Sequence, residues 1–469
     1  MVYSARFMHR PCRSLAFLLV LAAPLFAQAS ASGPSALRAS ALGDLAERVD
    51  AAVHKHLHKP TAVGLSVGVA FGADLIEKGY GLADAEFEVP ADGATAFRIG
   101  SITKQFTAAL VMKCVEQGRV ALEDPLAKFV PSFATNGKTV TVRQLLDHTS
   151  GIKSYTDVGA KWEKVQPLEL THDELLALVA DEPFDFEPGS DWRYNNTGYY
   201  LLGMLLENVS GKTYAQLLLD EIATPLGLTR TRYDSSREVI KNRAQGYQFE
   251  GRSLRNDGAL GMSQPFAAGA LLSSGGDLVR WSRALSSGKV VTAASYARMT
   301  TPTVLPSGRD THYAFGLVRD EFAGKVRIQH GGGIHGFNSF LLCIEELGLH
   351  VAVVSNSEQL SAMRVAEDIA YAVAGLEPPK AADKPTTKEL RQKLVGDYEI
   401  ADLDLALVVS EEDEKLMVQA KGQSAFPILW QGEFEFRAGF DPSVKLVWKD
   451  DGTSFDLHQG GGVFEAKRK

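Results

Sequence analysis

Apolar residues stand four apart at Leu45, Val49, Val53 and Leu57, which predicts a helix over 45–57. Two strand-like runs, Gly64 to Phe71 and Asp74 to Gly81, flank Gly72-Ala73 in the pattern of a hairpin. From Ser101 the chain is apolar nearly all round, through Phe106, Ala108, Ala109, Leu110, Val111, Met112, Cys114 and Val115. A helix of that kind is buried, and Gly118 is a natural C-terminal stop. Helices and loops fill the chain to about residue 300, with helical patterns at 173–180, 198–209 and 278–285. Strand patterns return at 313–318, 326–329, 337–344 and 350–355, before a last helix at 362–374. Strands begin and end this region with helices between. That order predicts an α/β (α+β) unit whose single sheet is assembled from both ends around a helical insertion.

Pro378, Pro379 and Pro385 interrupt a polar stretch and mark a linker at 376–387. Beyond it the pattern turns to period two: Leu403, Leu405, Leu407 and Val409, then Val444, Leu446 and Trp448, then Phe455 and Leu457. Asp451-Gly452 is a good hairpin turn between the last two runs. Residues 388–469 are therefore expected to form a small antiparallel barrel or sandwich. At the other end, Arg6, Arg10 and Arg13 precede an apolar run from Leu15 to Phe26 and small-residue cleavage options at 27–31. Residues 1–31 read as a secretory signal, too short to span a bilayer comfortably. The expectation is an exported protein, periplasmic or secreted, with no stable membrane anchor after cleavage.

The 469 residues are 45% hydrophobic and 23% charged, the composition of a soluble globular protein with two or three domains. Losing three arginines and no acid with the leader takes the formal charge from −8 to −11. An acidic chain without basic clusters argues against nucleic acid and against anionic lipid as partners. Cys114 and Cys343 fall inside apolar helical and strand patterns and read as buried thiols.

Three short strings carry the chemistry: Ser101-x-x-Lys104, Tyr194-x-Asn196 and His330-x-Gly332. S-x-x-K belongs to penicillin-recognising serine enzymes. It also occurs at Ser150/Lys153 and Ser286/Lys289, but those copies sit in turn or loop contexts. Lys104 lies one helical turn from Ser101 on an otherwise apolar helix, and burying a lysine without a task costs several kcal/mol. Beside the serine Oγ, a desolvated amine of lowered pKa can accept the hydroxyl proton. Tyr194 is a second proton-handling group, and Asn196 can position a substrate carbonyl. Which of Lys104 and Tyr194 is the base stays open. The glycines after His330 allow a backbone to approach a ligand closely, so that N–H groups there can supply half of an oxyanion hole.

The segment from about Leu45 to Ala374 resembles the serine β-lactamase-like hydrolase family of class C β-lactamases, D-Ala-D-Ala carboxypeptidases, D-aminopeptidases and related esterases. Beyond the three strings, Leu122–Leu126, Leu145–Gly151, Pro225–Leu228, Gly269–Leu278 and His330–Phe337 carry the likeness. It implies a β-lactamase/transpeptidase-like antiparallel sheet flanked by helices with a helical subdomain at 38–375. Residues 388–469 resemble the lipocalin-like appendage of some members. The resemblance further implies that Ser101 attacks, Lys104 and Tyr194 manage protons, and Asn196, His330 and Gly332 contact substrate. The N–H groups of Ser101 and Gly333 would form the oxyanion hole, and no metal or organic cofactor is implied. Members that act on β-lactams usually carry K-T-G where this chain has His330-Gly331-Gly332, so the anchor for a substrate carboxylate is weakened. Asn195 stands where the family often has Ser. The reading that follows is an exported serine hydrolase of short esters, amides or D-amino-acid peptides. Its alternatives are a class C-type β-lactamase or D-Ala-D-Ala carboxypeptidase, and a non-catalytic sensor of β-lactams or peptidoglycan.

Overall fold

Leu65, Val67 and Val69 point to one face of the strand Gly64–Phe71, and Ser66 and Gly68 to the other. That alternation seats the strand at the centre of the main sheet. A computed structural model describes residues 34–469 apart from 60, 252, 379, 381, 401–404, 421–424, 440 and 460–461. The expected leader at 1–31, with Cys12, lies outside the described residues. Residues 44–469 form the unit described here.

Its main sheet has seven antiparallel strands in the order Val89–Pro90, Asp74–Asp84, Gly64–Phe71, Leu349–Ser355, Phe337–Ile344, Lys325–Ile334, Val318–Phe322. First and last strands of the region meet where Leu65 pairs with Ser355 and Phe71 with Leu349, as a sheet built from both ends requires. One face is covered by the helix ending at Leu57 and by Ala362–Ala374, whose apolar residues join Leu65, Val67 and Val69 in a core. Each such buried side chain contributes roughly 1.5–3 kcal/mol. On the other face the helix Gly275–Ser286 comes within backbone contact of the sheet. Gly275 N–H donates to Ser66 Oγ at 2.9 Å, and a Cβ on Gly68 would collide with the Gly275 carbonyl.

The segment from Ser101 is a 3-10 turn, Gly100–Ile102, running into the helix Thr103–Glu116, which is buried at every position through Met112. Phe106 stacks on Trp281 at 4.1 Å. Tyr313–Val318 is not the expected strand. It makes a single bridge and turns at Gly316 (φ +70), which packs on the Lys104 carbonyl, while Phe315 and Leu317 are buried. The apolar run there records burial rather than extension. Conversely, the strand expected to stop at Gln329 continues to Ile334 through three glycines, because Gly331–Gly333 pair with Asn338–Phe340.

The C-terminal region is a closed eight-stranded barrel, Gly396 to Arg468. A short helix, Lys388–Leu394, capped by Thr387, precedes it where period-two reading saw only strands. Tyr398, Phe436, Trp448 and Phe455 fill the interior with ring centroids 4.4–6.2 Å apart. Cys114 and Cys343 are both buried and unpaired.

Arg327 ties the sheet edge to the outer helix. It holds Asp320 with two bonds of 2.7 Å and Glu367 with one of 2.6 Å, and is itself buried. Removing it strands two partly buried carboxylates. Arg327→Ala is expected to lose about 3–5 kcal/mol in denaturant unfolding at neutral pH.

Candidate active site

Ser101 sits on a turn that only glycine can start. Gly100 has φ +49, and a Cβ there would lie 2.9–3.0 Å from the backbone of Gly333. The turn is pinned to the short strand Leu271–Ser273 by Ile99 N–H to Leu271 O at 3.0 Å and by Leu271 N–H to Thr103 Oγ1 at 3.2 Å. Ser101 and Gly333 thereby face one cavity of about 370 Å³.

Lys104 lies beneath Ser101 and is 0% exposed. Its Nζ is 3.2 Å from Ser101 Oγ, 2.8 Å from Asn196 Oδ1 and 3.0 Å from Ala268 O. It forms no ion pair among the described residues, and burial drives its pKa well below the ordinary lysine value. The rings of Tyr194 and Tyr199 lie 4.6 and 5.4 Å from Nζ and favour the cation. That attraction is worth about 0.5–2 kcal/mol, against several kcal/mol for burying an ammonium, so desolvation wins. The neutral amine fits its partners: two N–H bonds serve Asn196 Oδ1 and Ala268 O, leaving the lone pair for the Ser101 hydroxyl.

Tyr194 is fully within this packing. Burial raises its pKa and keeps the phenol protonated; Ser101 lies near enough to pull that pKa down, but not in hydrogen-bond geometry. The Tyr194 hydroxyl has no hydrogen-bond partner among the described residues. Asn196 opens the helix Asn196–Ser210. Its N–H donates to Ser154 Oγ at 3.1 Å and its Nδ2 to Thr156 Oγ1 at 3.2 Å, which aims Oδ1 at Lys104. Asn195 is the N-cap of that helix, its Oδ1 accepting from Gly198 N–H at 2.7 Å. The substitution of Ser by Asn is therefore spent on the helix start.

His330 stands back from the cavity. Its Nδ1 lies 2.5 Å from Gly331 O, which can only accept, so Nδ1 carries the proton and Nε2 accepts from Tyr313 OH at 3.0 Å. Burial, and secondarily Lys104, push its pKa down to about 4, so the ring is neutral. Gly332 packs against Ile99 O and Ser339 Oγ with no room for a side chain. It lines a separate cavity of about 560 Å³ that shares Gly333 and Asn338 with the first. The structure thus joins Ser101, Lys104, Tyr194, Asn196 and Gly333 at one point and sets His330 and Gly332 behind it.

The Beta-lactamase family profile matches residues 49–376, more than two thirds of the chain. The chain belongs to the beta-lactamase family. It is 28% identical over 436 residues to "Penicillin-binding protein 4*" of Bacillus subtilis (strain 168), covering 86% of this chain and 94% of that protein. Among solved structures it resembles the octameric penicillin-binding protein homologue from Pyrococcus abyssi (TM-score 0.65, 26% identity, 90% of this chain and 100% of that one). It also resembles a D-stereospecific amidohydrolase from Streptomyces sp. (TM-score 0.59, 28% identity, 69% of this chain and 97% of that one).

Several residues of this beta-lactamase-family site carried no individual signal in the sequence. His148 is buried and kept neutral. It accepts from Asn195 N–H at 3.1 Å and packs 4.5 Å from the rings of both Tyr194 and Tyr313. The Leu145–Gly151 string contained it but gave it no task. Tyr313, one of 13 tyrosines, stood in the misread strand. The Ala268 carbonyl belongs to the backbone, where side-chain motifs say nothing.

Gly100→Ala is expected to cost roughly 1–2 kcal/mol for the left-handed backbone and to push the Ser101 turn off Gly333, lowering kcat/KM about 100-fold or more. Gly118→Ala, with φ +68 but nothing within 4 Å, serves as control and loses stability without that loss of rate.

Proposed function

We propose that this chain is an exported serine hydrolase that forms an acyl intermediate on Ser101 and releases it to water, acting on short esters, amides or D-amino-acid peptides. The observation carrying the reading is the buried Lys104 amine at 3.2 Å from Ser101 Oγ with two obligate acceptors on its other side. Lys104 takes the hydroxyl proton as Oγ attacks the carbonyl carbon. Negative charge on the carbonyl oxygen meets the N–H groups of Ser101 and Gly333. Tyr194, held protonated, gives its proton to the departing amine or alkoxide and is reprotonated by the proton that Lys104 took from Ser101. Water then repeats the sequence on the acyl-enzyme. Asn196 fixes Lys104 and meets the substrate from the same side.

Likeness over nearly the whole length of a penicillin-binding protein favours lactam or D-Ala-D-Ala chemistry as a second reading. Against it, His330 is neutral and no lysine or arginine lines the cavity among the described residues, so a substrate carboxylate finds no such partner there. The amidohydrolase likeness agrees with the first reading.

Steady-state hydrolysis of p-nitrophenyl butyrate beside a chromogenic cephalosporin tests the choice. Continuous ester turnover that Ser101→Ala abolishes, with cephalosporin turnover at least tenfold poorer, is the expected result. Efficient cephalosporin turnover promotes the second reading, and a single burst without turnover makes the chain a sensor. Ester hydrolysis that persists in Ser101→Ala removes the assignment.

The pH profile follows from Lys104. Its pKa is lowered, so the active neutral amine exists above that depressed value and is lost below it. The acid limb of kcat/KM should lie well below pH 10. Lys104→Arg, which cannot deprotonate, should lose about 10²–10⁴-fold across the whole range.

A further inference from the structure

We propose that Glu358 makes the catalytic cavity selective for acyl groups bearing a free α-amino group, so that the enzyme reads the ammonium end of an aminoacyl amide or peptide. This rests on the hydrolase reading above and names its substrate class. The lining of the cavity that holds Ser101 mixes two kinds of surface. Tyr155, Trp162, Leu260 and Phe337 supply an apolar, largely aromatic wall. Beside it the lining carries one carboxylate, Glu358, and one imidazole, His335, whose ring lies 6.4 Å from that of Trp162.

Glu358 has no lysine or arginine paired with it among the described residues, and neither residue type is part of the lining. Lys104 and His330 are held neutral by burial. Arg98 is engaged by Asp234 at 2.8 Å. Gly336 N–H donates to Glu358 Oε1 at 3.1 Å, which orients the carboxylate and leaves Oε2 without a hydrogen bond among the described residues.

Asp257 lies within electrostatic reach of Glu358. Its Oδ2 is buried with no partner among the described residues. Burial and then the Glu358 charge push its pKa up, opposed by the Gly258 N–H, His335 and Arg98. A substrate carboxylate is repelled here and an ammonium is attracted. A cavity of about 370 Å³ accommodates one residue-sized acyl group. With its side chain on the aromatic wall, the α-ammonium is the group left for Glu358.

The test compares phenylalanine p-nitroanilide in both hands, its N-acetyl derivative and p-nitrophenyl butyrate, on wild type and Glu358→Gln. The glutamine keeps an oxygen for Gly336 N–H and removes only the charge. Wild type should prefer the better free-amine enantiomer over its N-acetyl form by tenfold or more in kcat/KM. Glu358→Gln should shrink that ratio at least tenfold, chiefly through KM. Equal rates on amine and N-acetyl forms in wild type, or a ratio unmoved by Glu358→Gln, overturn the proposal. So does an equal loss on all three substrates, the mark of a structural defect. Ser101-dependent turnover of the butyrate with none of either anilide overturns this proposal and leaves the hydrolase reading standing; absence of Ser101-dependent turnover removes both.

Discussion

Lys104 is sealed beneath the cavity with three oxygens around its amine and, among the described residues, no carboxylate paired to it. Ionising an amine there costs more than the flanking aromatic faces return, so the neutral form with its lone pair toward Ser101 is the stable one. That constraint organises the neighbourhood. Asn196 must present an oxygen rather than its NH2, which Ser154 and Thr156 enforce. Tyr194 and His330 are buried beside the same amine and stay uncharged. The centre is therefore a set of neutral groups, and in the proposed reaction charge appears there only as the acyl transfer proceeds.

The scaffold serves this arrangement by close approach. Helix Thr103–Glu116 brings Lys104, helix Asn196–Ser210 brings Asn196, and strand Lys325–Ile334 brings Gly333 against Gly100. Glycine at 100 and 332 lets the turn and the strand touch, because any side chain would separate them. Arg327 braces that strand from outside through Asp320 and Glu367. The same glycines explain why a string weak in strand propensity is nonetheless paired.

Periodic elements were legible from the chain itself. The strands at 64–71 and 337–344 and the helix at 362–374 fall where apolar spacing placed them, since burial on a regular lattice leaves a regular pattern. What escaped lacks that lattice. Tyr313–Val318 is apolar because it is buried, yet it turns at Gly316, and hydrophobicity alone cannot distinguish the two. The helix Lys388–Leu394 is two turns long and too short to establish a period. In the site, Ser101, Lys104, Tyr194 and Asn196 were visible as spaced motifs and meet in space. His148, Tyr313 and the Ala268 carbonyl act through tertiary contact, which spacing does not encode. His330 was legible as a lost lysine, but its neutrality follows from burial, which only the fold shows.

The neutral amine can be observed directly. Carbon-13 labelling at lysine Cε, with Lys104→Arg to assign the resonance, allows Lys104 to be titrated in the intact enzyme by NMR. The expected result is a Lys104 resonance that titrates well below the ordinary lysine range, with the neutral-amine shift present where the other lysines are still ammonium. A Lys104 that titrates near the ordinary lysine value, about 10.4, would be an ammonium at working pH, and Ser101 would then need another base.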